Sequence, residues 1–133
     1  FNKLFERLVD KKSLTTKIIE SKSRKIAFSK CSANVALCSF DFICNTNLGH
    51  EDYTNIANEF NLIFIENVPV MNNDLSDQCR RFISLIDMLY NQKSSVVILA
   101  ESPISLLCQI NLLKKEFERT ASRLYEMTII QPT

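Results

Sequence analysis

The chain has 133 residues, 46% hydrophobic and 23% charged, with 16 Lys+Arg against 15 Asp+Glu for a net charge of +1. That is enough apolar material for one packed domain and too little for two, and it excludes disorder as the main state. The longest apolar runs, Leu62–Ile65 and Val96–Ala100, fall far short of the ~20 residues a membrane-crossing helix needs.

In chain order, residues 2–12 read as a short helix, because Leu4, Phe5, Leu8 and Val9 share one face. Leu14–Glu20 and Lys25–Lys30 read as two strands around Ser21–Arg24; in the second, Ile26 and Phe28 alternate with Lys25, Ala27 and Ser29. A third extended stretch is expected over Val35–Phe40. Helical spacing returns in Glu51–Phe60, with Tyr53, Ile56, Ala57 and Phe60 on one stripe and His50 or Asn47 as starting residues. Leu62–Ile65 has the unbroken apolar character of a strand covered on both faces. After the turn-rich Asn67–Asp74, an amphipathic helix is expected over Leu75–Asn91, with Leu75, Cys79, Phe82, Ile83, Ile86, Leu89 and Tyr90 on its buried stripe. Asp74 is its expected N-cap, and Asp77 adds negative charge to the positive helix end. Val96–Leu99 supplies another buried strand. Strand, helix and strand make a βαβ unit with parallel strands and a right-handed crossover. A short helix over Pro103–Leu107 and a longer one over Leu112–Met127 complete the pattern.

The predicted fold class is therefore α/β, a mixed sheet with an N-terminal β-hairpin, a central parallel βαβ unit and a C-terminal helix. One domain over 1–133 is expected, with the helix and hairpin in 1–45, the βαβ core in 46–111 and the last helix and tail in 112–133.

Glycine and cysteine usage narrow the chemistry. The chain has one glycine, Gly49, so neither GxxxxGK[ST] nor GxGxxG can be written in it, and it has no loop able to wrap its backbone around phosphates. Cys31, Cys38, Cys44, Cys79 and Cys108 are odd in number and irregular in spacing, without CxxC and with one histidine, His50. This pattern suits reduced thiols in a core better than a disulfide framework or a zinc site. No metal ligand set is assigned. No signal peptide is apparent, and a chain opening on Phe1 rather than Met reads as a piece of a longer protein.

Residues 1–30 carry a net +6 and the remainder −5. Basic charge without interleaved aromatics reads as a solvated hairpin, and no nucleic-acid partner is expected. Glu66 and Glu101 end apolar strands, where acids can serve metal or base chemistry, and IFIEN looks like a weakened Walker B segment. Without a phosphate loop such an acid has nothing to act on, so both read as structural. His50 reads as a helix-start or surface residue. Arg80, Arg81, Arg119 and Arg123 are the candidates for nucleotide phosphates or a subunit boundary, since guanidinium suits bidentate oxygen contacts. The competing reading is helix-joining ion pairs, with Asp87 and Glu126 as their acids and Arg123–Asp87 as one pair. No catalytic residue is assigned, because no nucleophile, base and orienting group can be assembled.

The segments Ser39-Phe40-Asp41-Phe42-Ile43-Cys44, Leu48-Gly49-x-x-Asp52-Tyr53, and Ile63-Phe64-Ile65-Glu66-Asn67-Val68-Pro69 occur in that order. They are followed by Arg80-Arg81-Phe82-Ile83-x-Leu85-Ile86-Asp87-x-Leu89-Tyr90 and Phe117-x-Arg119-Thr120-x-Ser122-Arg123-Leu124-x-Glu126-Met127. Together they resemble the C-terminal portion of the ZapE/Afg-like P-loop ATPases, AAA+-type proteins of bacteria and mitochondria. Asn91 departs from the family's acid after Leu-Tyr, and Asn45-Thr46-Asn47 replaces a more usual proline before Leu-Gly.

The resemblance implies an ATP-hydrolysing parent whose Walker A and Walker B segments lie upstream, with ATP and Mg bound there and no cofactor held in this chain. It further implies packing on the chain's own upstream P-loop domain and a homo-oligomer. The parent's partner would be the division ring (FtsZ) or a client protein, and its place the bacterial cytoplasm or membrane periphery, or the mitochondrion in a eukaryote. The alternative is a stand-alone protein-binding α/β module with no nucleotide role.

Overall fold

The protein is described by a computed structural model covering residues 14–21 and 24–127. The helix expected over 2–12, part of the Ser21–Arg24 turn and the tail beyond Met127 lie outside the described residues. Five strands, β1 (Thr15–Ser21), β2 (Arg24–Ser32), β3 (Val35–Ser39), β4 (Leu62–Val68) and β5 (Ser95–Ala100), form one sheet in the order β1-β2-β3-β4-β5. β1, β2 and β3 pair antiparallel, whereas β3–β4 and β4–β5 are parallel. The mixed sheet is thus the expected one, and β3 is the strand at which its direction of pairing changes.

The unbroken apolar run in β4 has a direct cause. Ile63 and Ile65 join the large core beneath the helices, while Leu62 and Phe64 join a second cluster with Leu37 and Val97. Successive side chains of a strand point to opposite faces, so both faces must be apolar when both are covered. Ile63, Phe64 and Ile65 are fully buried, and each stabilises the fold by about 1.5–3 kcal/mol relative to exposure. In the hairpin, Ile19, Ile26 and Phe28 face the main core, whereas Ile18 and Ala27, opposite each other in register, point to solvent.

Four α-helices are found among the described residues: α1 (Phe40–Cys44), α2 (His50–Glu59), α3 (Ser76–Asn91) and α4 (Lys114–Met127). The strand expected to reach Phe40 ends at Ser39. There the Ser39 hydroxyl accepts from the Phe42 N–H at 3.0 Å, and this cap starts α1. Neither His50 nor Asn47 caps α2. Gly49 holds that position, and its N–H donates to the Asp52 carboxylate at 2.8 Å. Asp74 does not cap α3 either; it lies within a 3₁₀ turn, Asn73–Leu75, and its own N–H donates to Asn72 Oδ1 at 3.0 Å. A second 3₁₀ turn, Ile104–Leu106, stands where a short helix was expected. A third, Asn111–Leu113, precedes α4.

α3 is the central helix. Cys79, Phe82, Ile83, Ile86 and Leu89 are buried as their spacing predicts, and so are Leu85 and Met88 beside the stripe. The wider buried face follows from position: α2 packs on one flank of α3 and α4 on the other. Its C-terminus closes in a Schellman arrangement, with Lys93 N–H on the Tyr90 carbonyl and Ser94 N–H on that of Leu89. Lys93 takes φ 58° there; Ala33, between β2 and β3, takes 52° and Asn67, after Glu66, takes 59°. A chain almost without glycine uses other residues at its left-handed positions.

Candidate functional site

The four candidate arginines separate into an inward and an outward pair. Arg81 leaves α3 toward the segment between α1 and α2, where its guanidinium donates to the Cys44 carbonyl at 3.1 Å and to Asn47 Oδ1 at 3.5 Å. Gln78, one turn earlier, donates to Asn45 Oδ1 at 2.7 Å. From the other side, Arg24 of β2 donates to the Asn47 carbonyl and stands 3.8 Å from the Asp52 carboxylate. Three side chains from two elements therefore hold the short segment Asn45–Leu48. Asn45 and Asn47 supply their side-chain oxygens and the Asn47 main-chain carbonyl, and Cys44 supplies its carbonyl.

At the opposite end of α3, Arg123 of α4 donates to Asp87 Oδ1 and lies over the Tyr90 ring, 4.8 Å from its centroid. Arg119, one turn earlier, reaches Asp87 Oδ2 at 3.9 Å. Asp87 thus bridges two arginines. Glu126 engages the Tyr90 hydroxyl, and this hydrogen bond, with the carboxylate's charge, raises the tyrosine's pKa. Two acids and two arginines make a balanced clasp between α3 and α4.

Accessibility sorts the candidates further. The Arg80 and Arg119 side chains are 57% and 60% exposed, whereas that of Arg123 is 25% exposed. Arg80 has an i,i−3 contact with Asp77 at 3.6 Å. Arg80 and Arg119 touch carboxylates only at the longer distances of 3.6 and 3.9 Å and are the more exposed, so of the four they are the pair more open to a phosphate. The structure does not gather all four arginines into one site: Arg80 and Arg81 lie near the start of α3, and Arg119 and Arg123 near its end.

Of the two strand-end acids, Glu101 accepts from the Val70 N–H at 2.7 Å and fastens the turn after β4. Glu66 lines a cleft of about 310 Å³ with Lys30, Ser39 and Phe42, where β2 and β3 diverge. His50 is the exposed first residue of α2. Among the described residues, no group of three or more His, Cys, Asp and Glu is arranged to hold a metal ion. The one glycine lies at φ −118°, and among the described residues no glycine-rich loop forms a backbone cradle for a triphosphate.

Sequence reasoning missed a groove of about 590 Å³ between α4 and the segment after β5. Leu106, Phe117, Ala121 and Tyr125 supply its apolar wall, with Lys114 and Glu118 among its polar residues. Leu106 and Tyr125 are more than half exposed, as is Leu112 just before the helix. The available signal was the placement of Tyr125, off the stripe of Phe117, Ala121 and Leu124 that α4 turns to the core.

A family model for AFG1-like ATPase matches residues 1–131. Over 108 residues the chain is 38% identical to Lactation elevated protein 1 homolog B of Danio rerio, covering 80% of this chain and 22% of that protein. Over 126 residues it is 31% identical to Cell division protein ZapE of Escherichia coli (strain K12), covering 95% of this chain and 34% of that one. The chain spans about a fifth to a third of the length of these curated relatives. No solved structure matches it significantly.

Proposed function

We propose, because this chain belongs to the AFG1-like ATPase family, that it is the C-terminal coupling module of an ATP-hydrolysing AAA+-type protein. ATP and Mg are bound by an upstream nucleotide-binding domain, since this chain has no glycine-rich loop to hold phosphates. The observation that carries the reading is the groove beside α4. Its exposed Leu106 and Tyr125 form an apolar seat suited to the upstream domain, and such side chains are stabilised by being covered. Arg80 and Arg119 then face the nucleotide or a neighbouring subunit of a homo-oligomer, while Arg81 and Arg123 hold the module together. The similarity to Cell division protein ZapE supports a parent role in bacterial division. The division ring would then be the partner and the cytoplasm or membrane periphery the place, whereas a mitochondrial parent would act in protein quality control. Among the described residues, no helix is long and apolar enough to cross a membrane.

ATP turnover of the full-length protein tests this reading. Leu106→Asp and Tyr125→Asp, with the fold retained, should lower turnover at least about fivefold, the scale of ordinary coupling energies. Arg119→Ala and Arg80→Ala should lower turnover while leaving the melting temperature nearly unchanged. Unaltered turnover in all four variants overturns the coupling role. It leaves the alternative, a protein-binding module without nucleotide function.

A further inference from the structure

Two irregularities of the sheet fall at one place. Between the pairs Thr15–Cys31 and Lys17–Phe28, β2 carries one residue more than β1, a bulge at Ser29 and Lys30. Between the pairs Ile65–Ile98 and Val68–Ala100, β4 carries one residue more than β5, a bulge at Glu66 and Asn67, and Asn67 takes its left-handed φ of 59° there. A bulge re-aims the side chains of its strand and is over-represented next to active sites. Lys30 stands opposite Leu37, and Glu66 opposite Ser39. Paired residues share a face, and Leu37 and Ser39 are two apart on β3, so all four lie on one face of the sheet.

The cleft of about 310 Å³ where β2 and β3 diverge is lined by these side chains. Ser39 and Glu66 stand at the carboxyl ends of the parallel strands β3 and β4, the end at which open α/β sheets hold their ligands. The floor is apolar. Phe28 and Phe42 meet edge to face with ring centroids 5.2 Å apart, and Phe28 and Cys38 belong to the main core. Burial, and then the Glu66 carboxylate, pushes the Cys38 thiol up to about 12, so it stays neutral there. Lys30 is exposed and Glu66 half-buried, and the ion pairs of the described residues use neither. The Ser39 hydroxyl accepts from the Phe42 N–H and keeps its own proton to donate.

We propose that this cleft binds a small zwitterion with an apolar body, an amino acid or a dipeptide, its ammonium on Glu66 and its carboxylate on Lys30 and the Ser39 hydroxyl. Sign decides the class. A simple anion meets Lys30 but is repelled by Glu66, and a simple cation meets the reverse. A neutral ligand desolvates both charges and pairs neither. A ligand with one charge of each sign pairs both, and its apolar part lies on Phe28, Leu37 and Phe42. β2 and β4 flank β3 about 10 Å apart, so the two charges grip opposite ends of the ligand and fix its direction. A cleft of about 310 Å³ is at the small end of ligand sites, which suits an occupant of this size. It shares no lining residue with the groove beside α4, so the proposal stands apart from any role in ATP coupling.

The experiment titrates the full-length protein with L-leucine and with L-leucyl-L-leucine and reads binding by calorimetry. At least one should bind, and the tighter of the two gives the length of the ligand. The N-acetylated form of that binder, without the ammonium, and its amide, without the carboxylate, should each bind at least about tenfold more weakly, the scale of a lost hydrogen bond to a charged group. Glu66→Gln and Lys30→Met should each weaken the unmodified ligand by a similar factor while the melting temperature is retained. Should one variant fail to fold, the other variant and the two modified ligands on the unsubstituted protein still decide. No binding of either zwitterion up to about 10 mM, modified ligands that bind as tightly as the parent, or full affinity in the folded variants would each overturn the proposal.

Discussion

The two ends of α3 use arginine in opposite ways. Near its start, Arg81 donates to a main-chain carbonyl and a side-chain amide, neutral acceptors on the segment between α1 and α2. Near its end, Arg123 meets a carboxylate and an aromatic ring, and the contact joins two helices already packed through their apolar stripes. One end therefore depends on hydrogen-bond geometry and the other on charge. Arg80 and Arg81, adjacent in sequence, have different fates because consecutive helical positions lie about 100° apart.

The largest difference should come from removing the shared acid. Asp87→Ala leaves the half-buried Arg123 without its carboxylate and releases Arg119, and it should cost about 2 kcal/mol in denaturant unfolding. Asp87→Asn should recover part of that loss. Raising the salt concentration should shrink the effect of Asp87→Ala far more than that of any change at Arg81, since only the charge-based end is screened.

Alkaline pH probes both ends together. Cys38 in β3, and Cys44 and Tyr53 near the start of α3, have pKa values raised chiefly by burial, and Tyr90 near its end has one raised by Glu126. In each case the native state holds its proton more tightly than the unfolded chain. The stabilisation is therefore complete below the unfolded pKa and is lost as pH rises through the native one. Stability should be flat near neutrality and fall above about pH 8.5, where unfolded thiols ionise. A group such as Cys38 contributes up to about 1.4 kcal/mol per pH unit between the two values. Unfolding curves that stay superimposed from pH 7 to pH 10.5 or so would contradict this.

Arg81→Ala should cost about 1 kcal/mol, the net worth of its neutral-acceptor bonds, and should speed hydrogen exchange in residues 44–49 ahead of the rest. Equal protection of that segment in variant and parent would remove the distinction between the two ends. The smallest effect, of opposite sign, is expected at the Schellman closure. Lys93→Gly relieves a left-handed side-chain clash and should stabilise by up to about 1 kcal/mol, read as a higher melting temperature.

Much of this arrangement is legible in residue order. The apolar runs at Leu62–Ile65 and Val96–Leu99 and the three-and-four spacing of Cys79, Phe82, Ile83 and Ile86 specify two strands and the helix between them, but only the first strand is buried throughout: β5 ends the sheet and its Leu99 is exposed. The failures have identifiable causes. Phe40–Cys44 continues the apolar character of β3, and only Ser39 with Asp41 in the first turn marks it as a helix start. Leu85 and Met88 lie off the stripe, and their burial depends on helices on both flanks of α3, which periodicity does not encode. Arg81 could not be assigned because its acceptors lie more than thirty residues away and one is a backbone carbonyl. The groove arises where α4 and the segment after β5 fail to cover each other, a relation between surfaces rather than a pattern in either.

The change of strand direction at β3 has a kinetic consequence. β1, β2 and β3 are neighbours in chain order joined by short turns, so their pairing closes only small loops, on the ~1–10 μs scale of hairpins. Each parallel partner must instead wait for a helix-bearing crossover to close, α2 before β4 and α3 before β5. Refolding should then be governed by docking β4 onto the finished meander. A truncation such as Ile63→Ala should slow refolding in part, and Ile26→Ala in the hairpin, whose contacts are formed by the time β4 docks, should slow it by most of its destabilisation with little change in the unfolding rate.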